Sequence, residues 1–317
     1  MWPILSDYVP ILLAFGIDRL CRGCPNRFHT IAVIGIVLNW VASWAAYLER
    51  PFLRCLYGGM IALAGIAIAG GTGLLLQQLF VLMPWPIEWM ATAIVLKMTL
   101  ALYNVALATK DVLETLKAND VLRARALVGC YVVNRDTSWL NAHELSSATV
   151  GEVAKNASDG IVAPLLCYAL GDLPVALAYC FIGAANAMMG HHDDIRERLG
   201  KIPAFLDDVV NMIPARLTAL AIIVASIFSD ANTRLAYLVW RHEARLGGSL
   251  NASYPMSSMA GALEIEIEKF GHYRLGAGYR YAVPSDIPRA VRLLYITTAL
   301  TVSSLFALMI LMHLLRP

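Results

Sequence analysis

Charged side chains are scarce in this sequence. Asp, Glu, Lys and Arg make up 15% of the 317 residues, whereas about 25% is usual in soluble proteins. Hydrophobic residues make up 58% and the mean hydropathy is +0.61. A core alone does not absorb this excess, because the surface of a soluble domain needs polar groups. The composition therefore excludes a disordered chain and an ordinary cytosolic enzyme, and it predicts an integral membrane protein.

The sequence also has little excess of charge of one sign and no cysteine framework. Its formal net charge is +2, which does not favour a nucleic-acid partner. Only Cys21 and Cys24 of the six cysteines form a C-x-x-C pair, and no second pair completes a zinc site. We interpret the cysteines as packing residues. No cleavable signal is expected, since the first apolar stretch, residues 9–17, is short and lacks a small-residue cleavage site.

Long uncharged runs mark the predicted membrane segments. Residues 55–82 and 293–315 contain no Lys, Arg, Asp or Glu over 28 and 23 residues, more than the roughly 20 that a spanning helix needs. Residues 87–109 are a third candidate, interrupted by Glu88 and Lys97. The lysine is expected to pair within the helical bundle or to snorkel to the interface.

Other apolar stretches give less definite predictions. Residues 160–190 and 209–228 are broken by prolines and polar residues, which predicts either two kinked spans or one pair of re-entrant segments. Residues 29–48 are apolar enough to span, and their orientation stays open. Several glycines in the first long run suit close contact between helices; these are Gly65, Gly70, Gly71 and Gly73.

The distribution of Lys and Arg predicts the topology. The turn at residues 83–89 has neither and is expected outside, whereas residues 110–160 hold 13 charged residues and are expected in the cytoplasm. Helix formers over 111–127 predict one amphipathic or soluble helix on the membrane face. The predicted fold class is an all-α polytopic membrane bundle with cytoplasmic loops and kinked or re-entrant segments. Its predicted parts are N-terminal transmembrane helices at 1–109, a cytoplasmic helical and loop block at 110–160, kinked membrane segments at 161–229, a cytoplasmic loop block at 230–290 and a C-terminal transmembrane helix at 291–317.

Polar groups at the edge of an apolar segment are candidates for function. Asp207, Asp208 and Asn211 are spaced to share one helix face, and paired carboxylates suit Mg²⁺. Arg216 offers a fixed fork of donors to phosphate or carboxylate. The alternative, left open at this point, is that the two acids cap a helix while the arginine snorkels or pairs with them.

Two further clusters are weaker candidates. The H-H-D-D sequence at 191–194 holds possible metal ligands, but a solvated loop is the preferred interpretation because adjacent residues of a helix point different ways. Asn251 lies in a Gly- and Ser-rich stretch at 247–255. We expect this stretch to form a loop that presents backbone N–H groups to an anion.

The clusters, taken in order over residues 129–294, resemble the adenosylcobinamide-phosphate synthase family of cobalamin biosynthesis. The matching motifs are R-D-T-S at 135–138, N-A-S-D-G-I-V-A-P at 156–164, L-D-D-V-V-N-M-I-P-A-R-L-T-A at 206–219, and S-L-N-A-S-Y-P at 249–255 with M-A-G-A-L at 259–263. Asp286, Ile287 and Ala290 also fit. The chain departs from the family at three acidic positions, which are Gly151, Lys155 and Asn186 here.

The resemblance implies an ATP-dependent amide ligase. Such an enzyme joins adenosylcobyric acid to aminopropanol phosphate or a related amino alcohol, with ATP as co-substrate and Mg²⁺ as cofactor. The implied roles are metal binding by Asp207 and Asp208, substrate or phosphate binding by Arg135, Asn211, Arg216 and Asn251, and catalysis by Asp136, Asn156 and Asp159.

The resemblance also implies a location. We expect a multi-pass protein of the cell membrane, in contact with the lipid bilayer, with active-site loops in the cytoplasm where ATP is found. Self-association into a homo-oligomer is left open. Because three acids are replaced, the alternative is a non-ligase relative that binds, transports or senses a corrinoid or another ligand.

Overall fold

The computed structural model describes residues 2–20, 30–47, 50–133, 137–189, 194–269 and 273–314. The described part of the chain is 82% helical, with one small sheet of three strands. The predicted class, a helical membrane protein, is confirmed. The division into five sequence segments stays a prediction.

Helices form most of the described chain, and their bounds are as follows. They are α1 Trp2–Leu20, α2 Thr30–Ser43, α3 Pro51–Val81, α4 Trp85–Lys97, α5 Leu102–Lys117, α6 Val121–Leu127, α7 Ala142–Ala157, α8 Ala163–Met189, α9 Asp194–Leu199, α10 Lys201–Ile227, α11 Thr233–Glu243, α12 Ser253–Leu263 and α13 Asp286–Leu314. The strands are β1 Ile265–Lys269, β2 Tyr273–Leu275 and β3 Arg280–Tyr281, and short 3-10 or π-helical turns occupy Trp44–Tyr47, Val128–Val133 and Ser158–Val162.

Four helical stretches of the described residues are long and apolar enough to cross a membrane: Pro51–Val81, Ala142–Met189, Lys201–Ile227 and Asp286–Leu311. The two uncharged runs of the sequence lie in the first and the last of them. The third predicted span, 87–109, is divided between α4 and α5, which are long and apolar enough only when taken together, as a broken span or a re-entrant loop. At the break the N–H of Ala101 donates to the carbonyl of Gly160, a residue distant in the chain, rather than to a carbonyl one turn earlier.

Kinking was expected near residue 172, and α8 is kinked there. Gly171 and Asp172 have non-helical dihedrals, and Asp172 has a positive φ of 53°. Pro174 follows, and a proline inside a helix removes one backbone hydrogen bond and clashes with the preceding turn. The Asp172 carboxylate accepts a hydrogen bond from the Gln77 side chain at 2.9 Å. The helix α10 also contains a proline, Pro214, but it runs as one helix from Lys201 to Ile227. The two long helices therefore favour kinked spans over a re-entrant pair.

The single amphipathic helix predicted over 111–127 is wrong, because α5 ends at Lys117 and α6 begins at Val121. Asn119 between them has a φ of 56°, the left-handed conformation that often ends helices and that asparagine tolerates. Asp120 then accepts a hydrogen bond from the N–H of Arg123 at 3.0 Å and caps α6. Local capping chemistry thus overrides a favourable run of helix formers.

The chain forms two compact units. The first comprises Met1–Leu100, Pro164–Val210 and Leu305–Pro317, and the second comprises Ala101–Ala163 and Asn211–Ser304. In the first unit α1 packs on α4, and α3 packs on α9. The Lys97 ammonium lies 3.7 Å from the Asp18 carboxylate, and both side chains are largely buried. This ion pair confirms the prediction that Lys97 pairs within the bundle.

In the second unit α12 packs on α7 and α11, and β1 is the central strand of the sheet. It runs antiparallel to β2, with Ile267 opposite Leu275, and parallel to β3, with Ile265 opposite Arg280. The sheet was not predicted. Its sequence signal is the alternation I-E-I-E at 265–268, since a period of two is typical of a strand.

The cysteine interpretation is confirmed only in part. Cys180 is buried and Cys55 and Cys167 are half-buried, whereas Cys130 is exposed and does not serve packing. Cys21 and Cys24 lie outside the described residues.

The glycines of α3 differ in what surrounds them. A Cβ on Gly73 would lie 2.6 Å from Cα of Pro174, whereas a Cβ on Gly71 would meet nothing within 4 Å. We expect Gly73→Ala to lower the thermal unfolding midpoint measurably, because overpacking costs about 1–3 kcal/mol. Gly71→Ala is the matched control, and we expect an equal or higher midpoint since alanine favours helix. Equal unfolding midpoints in the two variants would contradict the close approach of Gly73 to Pro174.

Candidate functional site

The first group of candidate residues lies in the first unit, on α10. Asp207 and Asp208 are half-buried and lie almost two turns beyond Lys201, the first residue of the helix. A helix cap precedes the first turn. The alternative in which these acids cap a helix is therefore wrong.

Asn186 of α8 is the neighbour of Asp207. Its Nδ2 donates a hydrogen bond to Oδ2 of Asp207 at 2.9 Å. Gly183, one turn earlier on α8, approaches the same carboxylate so closely that a Cβ there would lie 3.8 Å from Oδ1. The position at which the resemblance implies an acid thus holds an amide that binds the retained acid. The pair carries one negative charge where two acids would carry two.

These residues fit Mg²⁺ by type. Mg²⁺ is often held by one or two carboxylates and keeps water or phosphate oxygens on its other positions. Asp207 and Asp208 supply two carboxylates on neighbouring positions of one helix. Among the described residues, no group of three or more His, Cys, Asp or Glu side chains is arranged to hold a metal ion. Any Mg²⁺ bound here would therefore rely on a phosphate-bearing substrate for much of its coordination.

The second group lies in the second unit, around Arg216. The guanidinium carbon lies 4.2 Å from the ring centroid of Tyr254, a cation–π arrangement. Its NH1 donates to the backbone carbonyl of Met212 and to Oδ1 of Asn251, the latter at 3.3 Å. Two residues predicted separately to bind phosphate are thus brought together. The arginine is held by three partners and keeps a fixed orientation.

The loop at 247–252 is closed by its own serine. The hydroxyl of Ser249 accepts hydrogen bonds from the N–H groups of Asn251 and Ala252, at 3.4 and 3.1 Å. Ser253 donates its hydroxyl to the carbonyl of Ser249 at 2.7 Å. The N–H groups of Asn251 and Ala252 are therefore used within the loop, and the expectation that the loop presents backbone N–H groups to an anion stays a prediction. The side chain of Asn251, which contacts Arg216, stays a candidate.

A polar cavity of about 270 Å³ lies beside this loop in the second unit. Its wall includes Glu152 and Lys155 of α7. The Lys155 ammonium lies 3.6 Å from the Glu152 carboxylate, and Asn156 donates to the Glu152 carboxylate at 2.9 Å and to its carbonyl at 3.0 Å. Sequence analysis gave no role to Glu152. Its sequence signal is its position, because Glu152 directly follows Gly151, the position at which the resemblance implies an acid.

The departure at Gly151 has a steric counterpart. A Cβ at this position would lie 3.0 Å from the Met256 methyl and 3.3 Å from a methyl of Ile267. An acid at 151 would require both neighbours to shift. Gly151, Glu152 and Lys155 all line this cavity.

The remaining candidates are placed as follows. Asn211 is buried in α10. Asp159 lies in the π-helical turn that follows α7 and is half-buried. Arg135, Asp136 and the 191–193 part of the H-H-D-D sequence lie outside the described residues. Tyr254, to which sequence analysis gave no role, is the tyrosine of the matched S-L-N-A-S-Y-P motif, and its place in that motif is its sequence signal.

Comparison with known proteins gives a consistent result. The sequence model of the family described as "CobD/Cbib protein" matches residues 11–294. The chain is similar to the "Cobalamin biosynthesis protein CobD" of Dehalococcoides mccartyi, with 33% identity over 283 residues, 87% of this chain and 89% of the relative.

Two further relatives are similar over most of their length. The "Probable cobalamin biosynthesis protein CobD" of Methanocaldococcus jannaschii is 28% identical over 280 residues, 85% of this chain and 89% of the relative. The Listeria monocytogenes serovar 1/2a protein with the name "Cobalamin biosynthesis protein CobD" is 28% identical over 298 residues, 90% and 93% of the two chains. No solved structure matches.

Proposed function

Because the chain belongs to the CobD/Cbib protein family, we propose that it is an ATP-dependent amide ligase of cobalamin biosynthesis. It joins adenosylcobyric acid to aminopropanol phosphate or a related amino alcohol. The relatives named for cobalamin biosynthesis support the pathway. The observation that carries the ligase proposal is the arrangement of Arg216, held by Asn251 and Tyr254 within a matched motif.

The proposed chemistry begins with activation of a carboxylate. A carboxylate is a poor electrophile, so ATP first converts it to an acyl phosphate or an equivalent, on which the amine then forms the amide bond. Negative charge grows on the phosphate oxygens during the first step, and fixed donors stabilise it. Arg216 supplies such donors in a planar fork, and its contacts with Asn251 and Tyr254 orient that fork before substrate arrives.

Asp207 and Asp208 are the proposed metal ligands. Mg²⁺ bound there would neutralise charge on the transferring phosphate. Asn186 holds the Asp207 carboxylate in place through its hydrogen bond and adds no charge. The negative charge offered to Mg²⁺ therefore comes from Asp207 and Asp208 alone.

Proton transfer is proposed for the acids of the other matched motifs. An amine attacks only after it loses a proton, and a carboxylate near the reacting nitrogen can accept it. Asp159 and Asp136 are the candidates for this step. Asn156 is proposed to orient a substrate group while the Glu152 carboxylate and carbonyl fix its amide.

A second function is favoured by one observation. Asn186 stands where the resemblance implies an acid, so the group offers less negative charge to a metal, and its amide already donates to Oδ2 of Asp207. A relative that binds, transports or senses a corrinoid without consuming ATP would need no metal there.

One experiment separates the two functions. Purified protein is incubated with ATP and Mg²⁺, and phosphate release is measured with the corrinoid acid, the amino-alcohol phosphate, both or neither. The ligase is expected to release phosphate in step with amide formation only when both substrates are present. Corrinoid binding without ATP consumption in any mixture would contradict the ligase and support the second function.

Arg216 provides a direct test of the phosphate role. We expect Arg216→Lys to lower ATP turnover about tenfold or more, since a point charge cannot replace a bidentate fork stacked on Tyr254. The variant keeps the positive charge of the side chain. Its protein yield and unfolding midpoint show whether it folds like the parent. Arg234→Lys, on α11, is the matched control and is expected to keep full activity. Full turnover by Arg216→Lys would return Arg216 to a structural role.

The proposed orientation is also testable. Glu88, in the turn without Lys or Arg, is expected outside, and Lys117 is expected in the cytoplasm. Each is changed to cysteine in a background without other cysteines, and intact cells are treated with a membrane-impermeant thiol reagent. We expect labelling at position 88 in intact cells and at position 117 only after the cells are opened. Labelling of position 117 in intact cells would contradict the assignment.

A further inference from the structure

The first unit has an apolar groove of about 580 Å³ between α2, α3 and α8. Its wall on α3 follows one face of the helix from Met60 to Thr72, because the wall residues recur at intervals of three or four. Leu38 of α2 and Phe181 of α8 are among its buried wall residues. The described wall residues are apolar except for Thr72, whose hydroxyl already donates to the carbonyl of Ile68 at 2.8 Å. The groove therefore offers a ligand contacts with carbon atoms rather than hydrogen bonds.

The groove lies at the depth of the hydrocarbon. Residues 60–72 are the central part of α3, which is 31 residues long and is one of the four stretches that can cross a membrane. Each end of the groove is therefore about 14 Å from the corresponding end of the helix, at 1.5 Å per residue. The core of a bilayer holds no water that could fill an open groove. Hydrocarbon chains of lipid are the solvent at this depth.

The size of the groove favours a single hydrocarbon chain over a further helix. The α3 axis rises about 18 Å from Met60 to Thr72. A volume of about 580 Å³ divided by this length gives a mean cross-section of roughly 30 Å². An α-helix with its side chains is about 10–12 Å across and needs roughly 80 Å² or more. A hydrocarbon chain is much narrower, since carbon atoms in contact are separated by only about 4 Å.

One end of the groove is basic. Arg54 lies seven residues before the wall residue Ile61, and seven residues are close to two turns, so both lie on one face of α3. Between them the hydroxyl of Tyr57 donates to the carbonyl of Val41 at 3.1 Å and marks the end of the apolar wall. Arg50, the N-cap residue of α3, is exposed, and the first turn of the helix has no acidic residue. The start of α3 therefore carries positive charge in line with the groove.

Two further basic residues lie near this end. The helix α9 packs so closely on α3 that a Cβ on Gly58 would overlap the carbonyl of Leu199. Arg198 is exposed directly before this contact and Lys201 is exposed two residues after it, whereas Glu197 is an exposed acid of the same segment. Together with the two arginines of α3, the basic groups outnumber the acid by four to one among the described side chains at this end. This charge suits an anionic group.

A ligand with a hydrocarbon chain in the groove and an anion at its basic end has the chemistry of an anionic phospholipid. Arginine side chains bind phosphate through paired, charge-assisted hydrogen bonds. We propose that the groove holds one acyl chain of an anionic phospholipid whose phosphate lies at Arg50 and Arg54. The bound chain fills the space between α2, α3 and α8.

The test titrates two lipids into the purified full chain in a nonionic detergent, and native mass spectrometry counts the lipid molecules bound to each chain. Dioleoyl phosphatidylglycerol is the anionic probe. Dioleoyl phosphatidylcholine has the same acyl chains and no net charge. We expect one phosphatidylglycerol to bind about tenfold or more tightly than phosphatidylcholine, because the basic end of the groove repels the choline cation.

Variants of α3 locate the binding. Ala64 is an exposed wall residue, so Ala64→Phe places a ring in the groove, and we expect it to lose the bound phosphatidylglycerol. Ala67→Phe is the matched control, because Ala67 is also an exposed alanine of α3 but is not among the described wall residues. It should bind lipid like the parent. Arg50→Gln should weaken phosphatidylglycerol binding about tenfold, as loss of a charge-assisted hydrogen bond does.

The unfolding midpoint without added lipid identifies a variant that fails to fold. If Ala64→Phe fails, Thr72→Phe replaces it, since Thr72 is exposed at the other end of the groove. The proposal is overturned if the two lipids bind equally, if neither binds, or if the variant with the filled groove keeps the parent affinity. An equal loss in Ala67→Phe would also overturn it, because the lipid would then bind the helix surface in general. A dimer that forms without lipid and is lost in Ala64→Phe would overturn it too, since a second copy would then cover the groove. None of these readouts depends on ligase activity.

Discussion

Asp208→Asn is expected to reduce Mg²⁺-dependent ATP turnover about 100-fold or more while the protein stays folded and inserted. Asparagine keeps the size and hydrogen-bonding capacity of the side chain but removes its charge. In the proposed site only two carboxylates offset Mg²⁺, since Asn186 replaces a third acid next to Asp207. A 100-fold loss corresponds to about 2.7 kcal/mol of transition-state stabilisation. Electrostatic contributions of that size are usual for fixed groups at transferring oxygens.

The measurement is initial rate against Mg²⁺ concentration, with both substrates present. Asp111→Asn, an exposed acid of α5, is the matched control and should follow the parent curve. Because Asp207 and Asp208 lie inside α10 rather than at its cap, a loss in Asp208→Asn cannot come from an uncapped helix. Full activity of Asp208→Asn across the titration would defeat the metal-site proposal.

The second large effect concerns stability. Asp286, the first residue of α13, is 1% exposed and accepts four hydrogen bonds. Two come from Arg280 at 2.7 and 2.6 Å, one from Arg289 at 3.0 Å and one from the N–H of Val283 at 3.0 Å. The network ties β3 and the following turn to the start of α13.

We expect Asp286→Asn to lower the unfolding midpoint by several degrees. Asparagine replaces one acceptor oxygen with a donor that faces a guanidinium, and removal of one partner of a buried ion pair costs about 3–5 kcal/mol. The cost should lie near the lower end, because Arg280 and Arg289 are 46% and 40% exposed and water solvates them in part.

Asp230→Asn is the matched control, because Asp230 also pairs with an arginine, Arg292, at 3.0 Å but is 91% exposed. Exposed ion pairs contribute little, so its midpoint should stay at the parent value. Thermal unfolding followed by a thiol-reactive dye or by circular dichroism gives both values. Equal shifts in the two variants would show that burial of Asp286 does not matter.

The comparison of sequence and structure separates local from long-range effects. The kink at Asp172 and the extent of α3 follow from nearby residues. Sequence analysis allowed kinked or re-entrant segments over 160–190 and placed the first span at 55–82, four residues short of the start of α3. The split between α5 and α6 is also local, because it depends on Asn119 and Asp120. These two residues lie within a run of helix formers, and the average helix propensity of the run therefore predicts one continuous helix.

Other features depend on partners distant in the chain. Asn186 is 21 residues from Asp207 and Arg216 is 35 from Asn251, and no spacing rule predicts that these pairs meet. The same holds for Glu266, whose place in a cavity wall depends on how β1 packs on α7. Sequence analysis had treated that part of the chain as a cytoplasmic loop block.

The sequence by itself determined that this is a helical membrane protein of the CobD/Cbib family, because apolar run length and ordered motifs are properties of the chain alone. Only the tertiary structure decided what the departures from the family mean. Gly151 removes a side chain where Met256 and Ile267 leave little room, Lys155 pairs with Glu152, and Asn186 binds Asp207. The surroundings of Gly151 and the contact of Asn186 rest on distances between different elements, which packing sets, whereas Lys155 and Glu152 are three residues apart on α7.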